Sequence, residues 1–448
     1  MLRKKVHMKI LQGLFVLISL FGYYYIGYEI VREQSSVLVS LYLSLFVFTY
    51  LLIRSCDSLK KILGIGILFR LILLIATPLL SQDFYRFIWD GMLVANHLNP
   101  YEATPDFLNQ SSAFFLSQFS QDLYNGMGTL SAEHYSNYPP LNQLGFYLAS
   151  ILGGDSILAN IVSIRLLLIL ADLGIFWIGI KLLNLLGLPE KRIAFYFLNP
   201  LIIVELIGNL HWEGAMMFFF LLGLYYVFIE NKWKWSFIPM AASIALKLIP
   251  LMILPLLWQF LKPKKSVLFG LLTLMCSLMF FIPLFIGQDG IEHYLKTISL
   301  WFNRFEFNGS LYYIIRKLGY EVKGYNIIRT FGKVTPYIII ALVACFTFIR
   351  NNKTPKSVIN GMLLMLSCYF FISTTVHPWY IVSLVTIGLF SNYSYPLFWS
   401  ALVTLSYAAY GSCNFNENFY LISLQYGLVY GILVYEMIQK KVLLHHFK

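Results

Sequence analysis

The chain has 448 residues, of which 58% are hydrophobic and only 12% charged, with a mean hydropathy of +0.70. A soluble protein of this length needs far more charge to cover its surface, so a soluble enzyme or binding module is excluded. The net charge of +12 is no sign of a nucleic-acid partner, because most of the Lys and Arg sit in short clusters between apolar runs. Runs of this length cross a hydrocarbon core of about 30 Å. The fold class expected is an all-α polytopic membrane protein, a single integral membrane domain over 1–448.

In chain order, helices are predicted near 10–30, 36–53 and 62–80. Basic clusters at 3–9, 54–61, 181–192, 232–234, 262–265, 350–356 and 440–448 mark the inner side by the positive-inside rule. The first apolar run is too long for a signal-peptide core and has no small-residue cleavage site, so it reads as a retained helix. The third helix exits at Ser81 into a long outer loop, 81–155, which has seven acids, one arginine and no lysine. Half-apolar pieces such as Phe114-Phe115-Leu116 predict short helices on the membrane surface.

Helices follow near 157–182, 193–209 (broken at Asn199-Pro200) and 213–230. The run 236–260 has basic clusters at both ends, and its arms are too short to cross twice. It reads as a re-entrant hairpin broken near Pro250, with Lys247 inside the protein; a single crossing is the alternative and inverts every later loop. A helix near 266–287 leads to a second outer loop, 288–330, whose six cations run against the topology rule. Helices near 333–350, 357–375, 376–391, 396–412 and 418–438 complete the chain. Five scattered cysteines (56, 276, 345, 368 and 413) suggest neither a disulfide framework nor a metal site.

Charged residues at membrane depth need a reason. Asp83, Arg86 and Asp90 lie at i, i+3 and i+7, on one face if the segment is helical. Asp83 stands first, where a lipid substrate and a polar acceptor can meet. A second group runs from Asn199 through Glu205 and Asn209 to His211 and Glu213. His211-Trp212-Glu213 is half a metal motif without a third ligand, so no metal site is assigned. Lys247 and His377, the latter in His377-Pro378-Trp379-Tyr380, are the remaining intramembrane candidates. Their plainer readings are a snorkelling lysine and an interfacial aromatic belt.

Gln82-Asp83-Phe84-Tyr85-Arg86, Trp89-Asp90-Gly91, Asn99-Pro100-Tyr101-Glu102 and Tyr138-Pro139-Pro140-Leu141 together resemble the first luminal loop of GT-C glycosyltransferases. The pattern is similar to the GPI-anchor mannosyltransferase I family and to bacterial polyprenol-phosphate-mannose-dependent mannosyltransferases. Asn199-Pro200 with Gly208-Asn209, and Lys247 with Pro250, resemble later motifs. The likeness covers about 60–260; a strict Asp-x-Asp is missing, which leaves a divalent metal possible but unsupported.

The resemblance implies a bundle of about 12–14 transmembrane helices in the bacterial cytoplasmic membrane, with its active site on the outer face. It implies an inverting transfer of a hexose, mannose by the family likeness, from a polyprenyl-phosphate-linked donor to a lipid-linked or glycan acceptor, with no cofactor. Asp83 is the expected general base. Arg86, Lys247 and Arg304 are the expected cations for the leaving phosphate, and Asp90, Tyr138, Asn209, His211, Glu213 and His377 are further expected substrate contacts. A transporter or flippase for a lipid-linked sugar is the alternative; it draws on the broken helix and Lys247 but calls for an inverted repeat that the sequence does not display.

Overall fold

The structure is a computed structural model that describes residues 2–56, 58–111, 115, 117–229, 232–411 and 415–439, without the side chains of 2–7, 302 and 303. Phe114, Leu116, Cys413 and the basic tail 440–448 lie outside the described residues. Among the described residues the secondary structure is helical, apart from an isolated bridge between Phe307 and Thr375.

The N-terminal helices are α1 (Leu2–Tyr28), α2 (Ser35–Ser55) and α3 (Leu59–Leu71). The expected third helix, 62–80, thus stops at Leu71. Residues 72–75 form turns, and Pro78, which restricts the residue before it and donates no amide hydrogen, keeps a helix from resuming there. Asp83 therefore starts a new helix rather than ending an old one. The acid-rich segment holds α4 (Asp83–Ala95), α5 (Pro105–Ser111), α6 (Gln118–Ala132) and α7 (Pro140–Gly153). The helix α8 (Ile157–Leu185) is the longest, followed by a short α9 (Ala194–Phe197) and a π-helix, Ile202–Gly208.

Next come α10 (Glu213–Phe228), α11 (Phe237–Leu246), α12 (Ile249–Ile253), α13 (Trp258–Leu261) and α14 (Pro263–Phe280). Two amphipathic helices, α15 (Gly290–Arg304) and α16 (Leu311–Lys323), precede α17 (Ile328–Ala344), α18 (Pro355–Ile372), α19 (Ile381–Gly388), α20 (Tyr395–Leu402) and α21 (Phe419–Gln439). Seven described helices are long and apolar enough to cross a membrane, or eight if the bent pair around residue 210 is one span. The difference from 12–14 expected crossings has a physical source. Several apolar runs are cut by proline or asparagine into pieces of 4 to 10 residues, such as α9, α11, α12 and α13.

Cut helices expose carbonyl and amide groups that apolar surroundings cannot satisfy. Buried charges take that role. Arg165, fully buried on α8, donates from Nε to the Ile207 carbonyl at 2.6 Å and from Nη1 to Leu74 at 2.6 Å. Its Nη2 reaches Ala76 and Gly208 at 2.7 and 3.1 Å. One guanidinium thus closes the chain after α3 and the end of the π-helix. One turn pair further along α8, Asp172 accepts from Arg70 Nε and Nη2 at 2.9 and 2.7 Å and from the Tyr196 hydroxyl at 2.6 Å. Arg70 also donates to the Gly66 and Phe197 carbonyls at 2.8 and 2.9 Å.

The segment after α10 turns back on itself. Ser236 and Ser243 donate to the carbonyls of Gly223 and Met216, both at 2.8 Å, so α11 runs antiparallel along α10. The direction reverses at Lys247, and Phe260 returns to meet Phe228 with ring centroids 5.4 Å apart. Further contacts tie basic stretches to one end of the bundle: Lys181 lies 5.8 Å from the Tyr225 ring, and Gln259 donates to the Arg350 carbonyl at 2.7 Å.

The Arg70–Asp172 pair generates a stability prediction. Asp172→Leu leaves a buried guanidinium unpaired and should cost about 3–5 kcal/mol. The double variant with Arg70→Met should lose clearly less in thermal unfolding in detergent. Equal losses in the two would show that packing, not charge, carries the effect.

Candidate functional site

The end of the bundle opposite the basic stretches gathers most of the polar residues singled out in the sequence. Three chain breaks build it. The first is at Asn199-Pro200, where the Asn199 side chain caps the Leu201 amide at 2.9 Å. The chain then winds as a π-helix, a form frequent at functional sites, and ends with the Asn209 amide bonded back to Val204 at 2.8 Å. Leu210 adopts φ +65°, an uncommon conformation for a non-glycine residue. The axis bends by 111° into α10. Asn209, His211 and Glu213 therefore sit on the apex of a bend, not along a helix. Glu213 occupies the first turn of α10, where the positive end of the helix favours a carboxylate.

The second break is Lys247, in extended conformation between α11 and α12. Its ammonium is paired with the Glu213 carboxylate and lies 4.5 Å from the centre of the Tyr380 ring. Glu213 is buried, while the Lys247 side chain keeps 32% exposure, so the pair opens to the site from one side. The third break is His377-Pro378. The residue before proline is extended, as its sterics require, and the strand-like stretch before it bonds to the second polar segment. Phe307 donates to the Thr374 carbonyl at 3.1 Å and accepts from the Val376 amide at 2.8 Å.

A column of four rings follows. His211 stacks on Trp379 (3.8 Å), Trp379 on His377 (4.4 Å), and His377 on Phe307 (4.9 Å). Burial, and then the Lys247 charge, lowers the His377 pKa to about 3, so this imidazole is neutral and stacks as an uncharged ring. Both faces of Trp379 and of His377 are covered by neighbours, leaving only ring edges for a ligand.

Asp83, the first residue of α4, is half-buried beside this group. Burial pushes its pKa up to about 6, and the Glu213 carboxylate adds to the rise. The cations of Lys247 and Arg32 and the Ser81 hydroxyl oppose it. A carboxylate held near pH 6 is poised to accept a proton at neutral pH. Tyr138 packs its ring on Phe87 and Phe146 at 5.0 and 5.6 Å. Burial, and then the Asp83 charge, holds its hydroxyl well above the usual range.

Arg86 and Asp90 stand one turn apart on α4 and are both buried. Arg86 Nε donates to Asp90 at 2.7 Å, and Nη1 donates to the carbonyls of Ser131 and His134 at 2.6 and 2.9 Å. Asp90 also accepts from Ser136 and Gln143 at 2.5 and 2.9 Å. This brace holds the end of α6 and the start of α7 against α4. Arg304 is exposed at the end of α15, and no described contact joins it to the group.

The Asn99-Tyr101 motif likewise faces the second polar segment. Asn99 donates to the Ile286 carbonyl at 2.7 Å, the Tyr101 hydroxyl to the Tyr138 carbonyl at 2.7 Å, and the Tyr101 carbonyl lies 3.0 Å from His293 Nδ1. Arg32 escaped the sequence reading. It lies in the short turn between α1 and α2, 5.1 Å from the Tyr410 ring centre; a basic residue in a short turn between two apolar runs was the available signal. Among the described residues, no three His, Cys, Asp or Glu side chains are grouped to hold a metal ion.

Residues 19–262 match the family model described as "Alpha-(1->6)-mannopyranosyltransferase, N-terminal domain". That stretch holds Asp83, Arg86, Asp90, Tyr138, Asn209, His211, Glu213 and Lys247, but neither Arg304 nor His377. The chain is also similar to alpha-(1->6)-mannopyranosyltransferase B of Corynebacterium glutamicum. The identity is 26% over 156 residues, which is 34% of this chain and 24% of that protein. The match thus spans about a quarter of the relative's length. No solved structure matches.

Asp83 predicts a stability effect with a definite sign. Its folded pKa, about 6, lies above the ordinary aspartate value of 3.8. The folded state therefore holds the proton longer, and stability is lost as pH rises through that window. Asp83→Asn removes the loss. At pH 7.5 it should be more stable than the parent by up to about 3 kcal/mol, and the advantage should vanish below about pH 4. Thermal unfolding across pH checks this; a variant less stable at pH 7.5 would contradict the assigned burial cost.

Proposed function

This chain belongs to the alpha-(1->6)-mannopyranosyltransferase family, and on that premise we propose that it transfers a mannosyl group from a polyprenyl-phosphate donor to an acceptor hydroxyl. The observation that carries this reading is Asp83: a half-buried carboxylate, raised to a pKa of about 6, within the electrostatic influence of Glu213, Lys247 and Arg32.

An acceptor hydroxyl is a poor nucleophile until its proton is taken. Asp83 accepts that proton as the hydroxyl oxygen bonds to the anomeric carbon. The bond from that carbon to the phosphate oxygen breaks on the opposite face, so the centre inverts. The departing polyprenyl phosphate gains a negative charge, which Lys247 and Arg32 oppose. Glu213 keeps Lys247 oriented, while Asn209, His211, Tyr138 and the edge of His377 offer hydrogen-bonding groups for sugar hydroxyls. Arg86 and Asp90 act as positioning residues for the loop wall, and Arg304 meets lipid phosphates from the surface. The acid-rich composition of 81–155 and the basic stretches at the other end support placing this site on the outer face of the cytoplasmic membrane. The acceptor would then be a lipid-linked or envelope glycan.

Turnover of labelled polyprenyl-phosphate mannose by purified protein tests the reading. Asp83→Asn should reduce transfer at least about 100-fold, the scale of general-base loss. The parent rate should fall as pH drops through about 6, because the required form of Asp83 is the ionised one. Full activity of Asp83→Asn would remove Asp83 from the mechanism, and movement of the labelled lipid across the bilayer without transfer would favour a flippase.

Sidedness is checked separately. Gln110, exposed near the end of α5, is replaced by Cys in a protein without native cysteines. It should react with an impermeant thiol reagent in intact cells; labelling only after lysis would place the site on the inner face.

A further inference from the structure

Glu205 is fully buried in the π-helix, just under the apex that carries His211. Its Oε1 accepts from two tyrosine hydroxyls on distant helices, Tyr42 at 2.8 Å and Tyr407 at 2.7 Å. Its Oε2 accepts from Asn209 Nδ2 at 3.0 Å and lies 3.8 Å from His211 Nε2. The His211 amide donates to the Glu205 carbonyl at 3.2 Å. That Nε2 atom is buried and has no hydrogen-bond partner among the described residues. One carboxylate oxygen is thus clamped by tyrosines, and the other is aimed at the base of the site.

We propose that Glu205 is a positioning residue that fixes the proton of His211 on Nε2, so that Nδ1 acts as a hydrogen-bond acceptor for one hydroxyl of the transferred sugar. The proposal rests on the reading of this site as a mannosyltransferase site. In its neutral form the imidazole carries one proton, and which nitrogen holds it is set by the partner of the other side. A carboxylate only accepts, so it favours a proton on the nitrogen nearest it. The gap of 3.8 Å exceeds hydrogen-bond length, and such contacts tighten when substrate closes the site. The Trp379 stack keeps the ring plane fixed, which makes the choice of tautomer the remaining freedom. Asn209 is held to Glu205 by its amide nitrogen, so the same carboxylate orients both polar side chains of the apex.

The test is Glu205→Gln, which keeps size and shape. The two tyrosine hydroxyls hold the amide oxygen at the Oε1 position, so the amide nitrogen must face His211. A donor now stands where an acceptor stood, and the His211 proton should move to Nδ1. Nitrogen-15 NMR of histidine-labelled protein in nanodiscs reads this directly, with His211→Gln identifying the signal. The parent should give the Nε2–H form and the variant the Nδ1–H form.

The chemical consequence is a changed preference for fluorine. Short-chain polyprenyl-phosphate mannose carrying fluorine in place of the 3-, 4- or 6-hydroxyl cannot donate at that position. At one position the parent should show a KM raised about tenfold or more, the scale of a lost hydrogen bond. Glu205→Gln should lose that discrimination with kcat changed less than KM. A general loss of packing would lower rates for all donors alike. An Nδ1–H parent, or an unchanged tautomer in the variant, overturns the proposal, and the parent measurement stands even if the variant fails to fold. Retained transfer by Asp83→Asn would instead strike the mannosyltransfer mechanism and leave the tautomer result intact.

Discussion

The structure depends on how cut helices are satisfied in an apolar interior. A helix interrupted at membrane depth frees carbonyls and amides that lipid cannot bind, and each costs several kcal/mol if left alone. Arg165 answers this for two ends at once, binding the carbonyls of Leu74, Ala76, Ile207 and Gly208. The same solution recurs at the other end. Arg192 donates to the carbonyls of Leu389 and Ser391 at 3.2 and 3.0 Å, where α19 stops. Glu436 accepts from the amides of Ser394 and Tyr395 at 2.9 and 3.1 Å, where α20 starts. Cations meet carbonyl ends and the carboxylate meets an amide end, which is the sense the helix dipole demands.

Those repaired breaks are what allow a site to exist. An unbroken α-helix through 194–228 would put Asn209 and Glu213 on one face and His211 on the opposite one. The π-helix and the 111° bend instead bring all three to an apex. The reversal at Lys247 delivers an ammonium to the same place, and the break before Pro378 delivers the ring column. The Arg86–Asp90 brace does for the acid-rich segment what Arg165 does for the bundle: it ties the end of α6 and the start of α7 to the helix that carries Asp83.

The all-helical membrane class was legible from hydropathy alone, because long apolar runs have few other solutions. So were the breaks at Asn199-Pro200 and His377-Pro378, since proline and asparagine state their local effect; the break expected near Pro250 falls at Lys247, with Pro250 in the first turn of α12. That the third apolar run does not stay helical to 80 was signalled by Pro78 but masked by the apolar residues around it. Arg165 and Asp172, seven residues apart on one face of α8, were also readable as charges within an apolar helix. Their partners were not, because the carbonyls Arg165 binds lie 42 to 91 residues away and the donors to Asp172, Arg70 and Tyr196, lie 102 and 24 residues away. Arg32 and the tyrosines 42 and 407 meet the site only through the packing of α1, α2 and the segment after α20, a long-range fact that no local pattern encodes.

A further contrast separates Asp83 from every other acid in this region. Asp90 and Glu205 have their oxygens engaged by two or more donors, and Glu213 is paired with Lys247. Asp83 is half-buried, with burial as the main cause of its raised pKa and two cations only partly offsetting it. A carboxylate left in that condition is destabilising to the fold at neutral pH. Its environment is nonetheless what a general base at neutral pH requires: a proton affinity raised by burial and access from one side. On the proposed mechanism, the unfavourable placement of Asp83 is thus the feature in which stability and catalysis pull in opposite directions, while the oxygens of the surrounding acids are already engaged by donors that fix their positions.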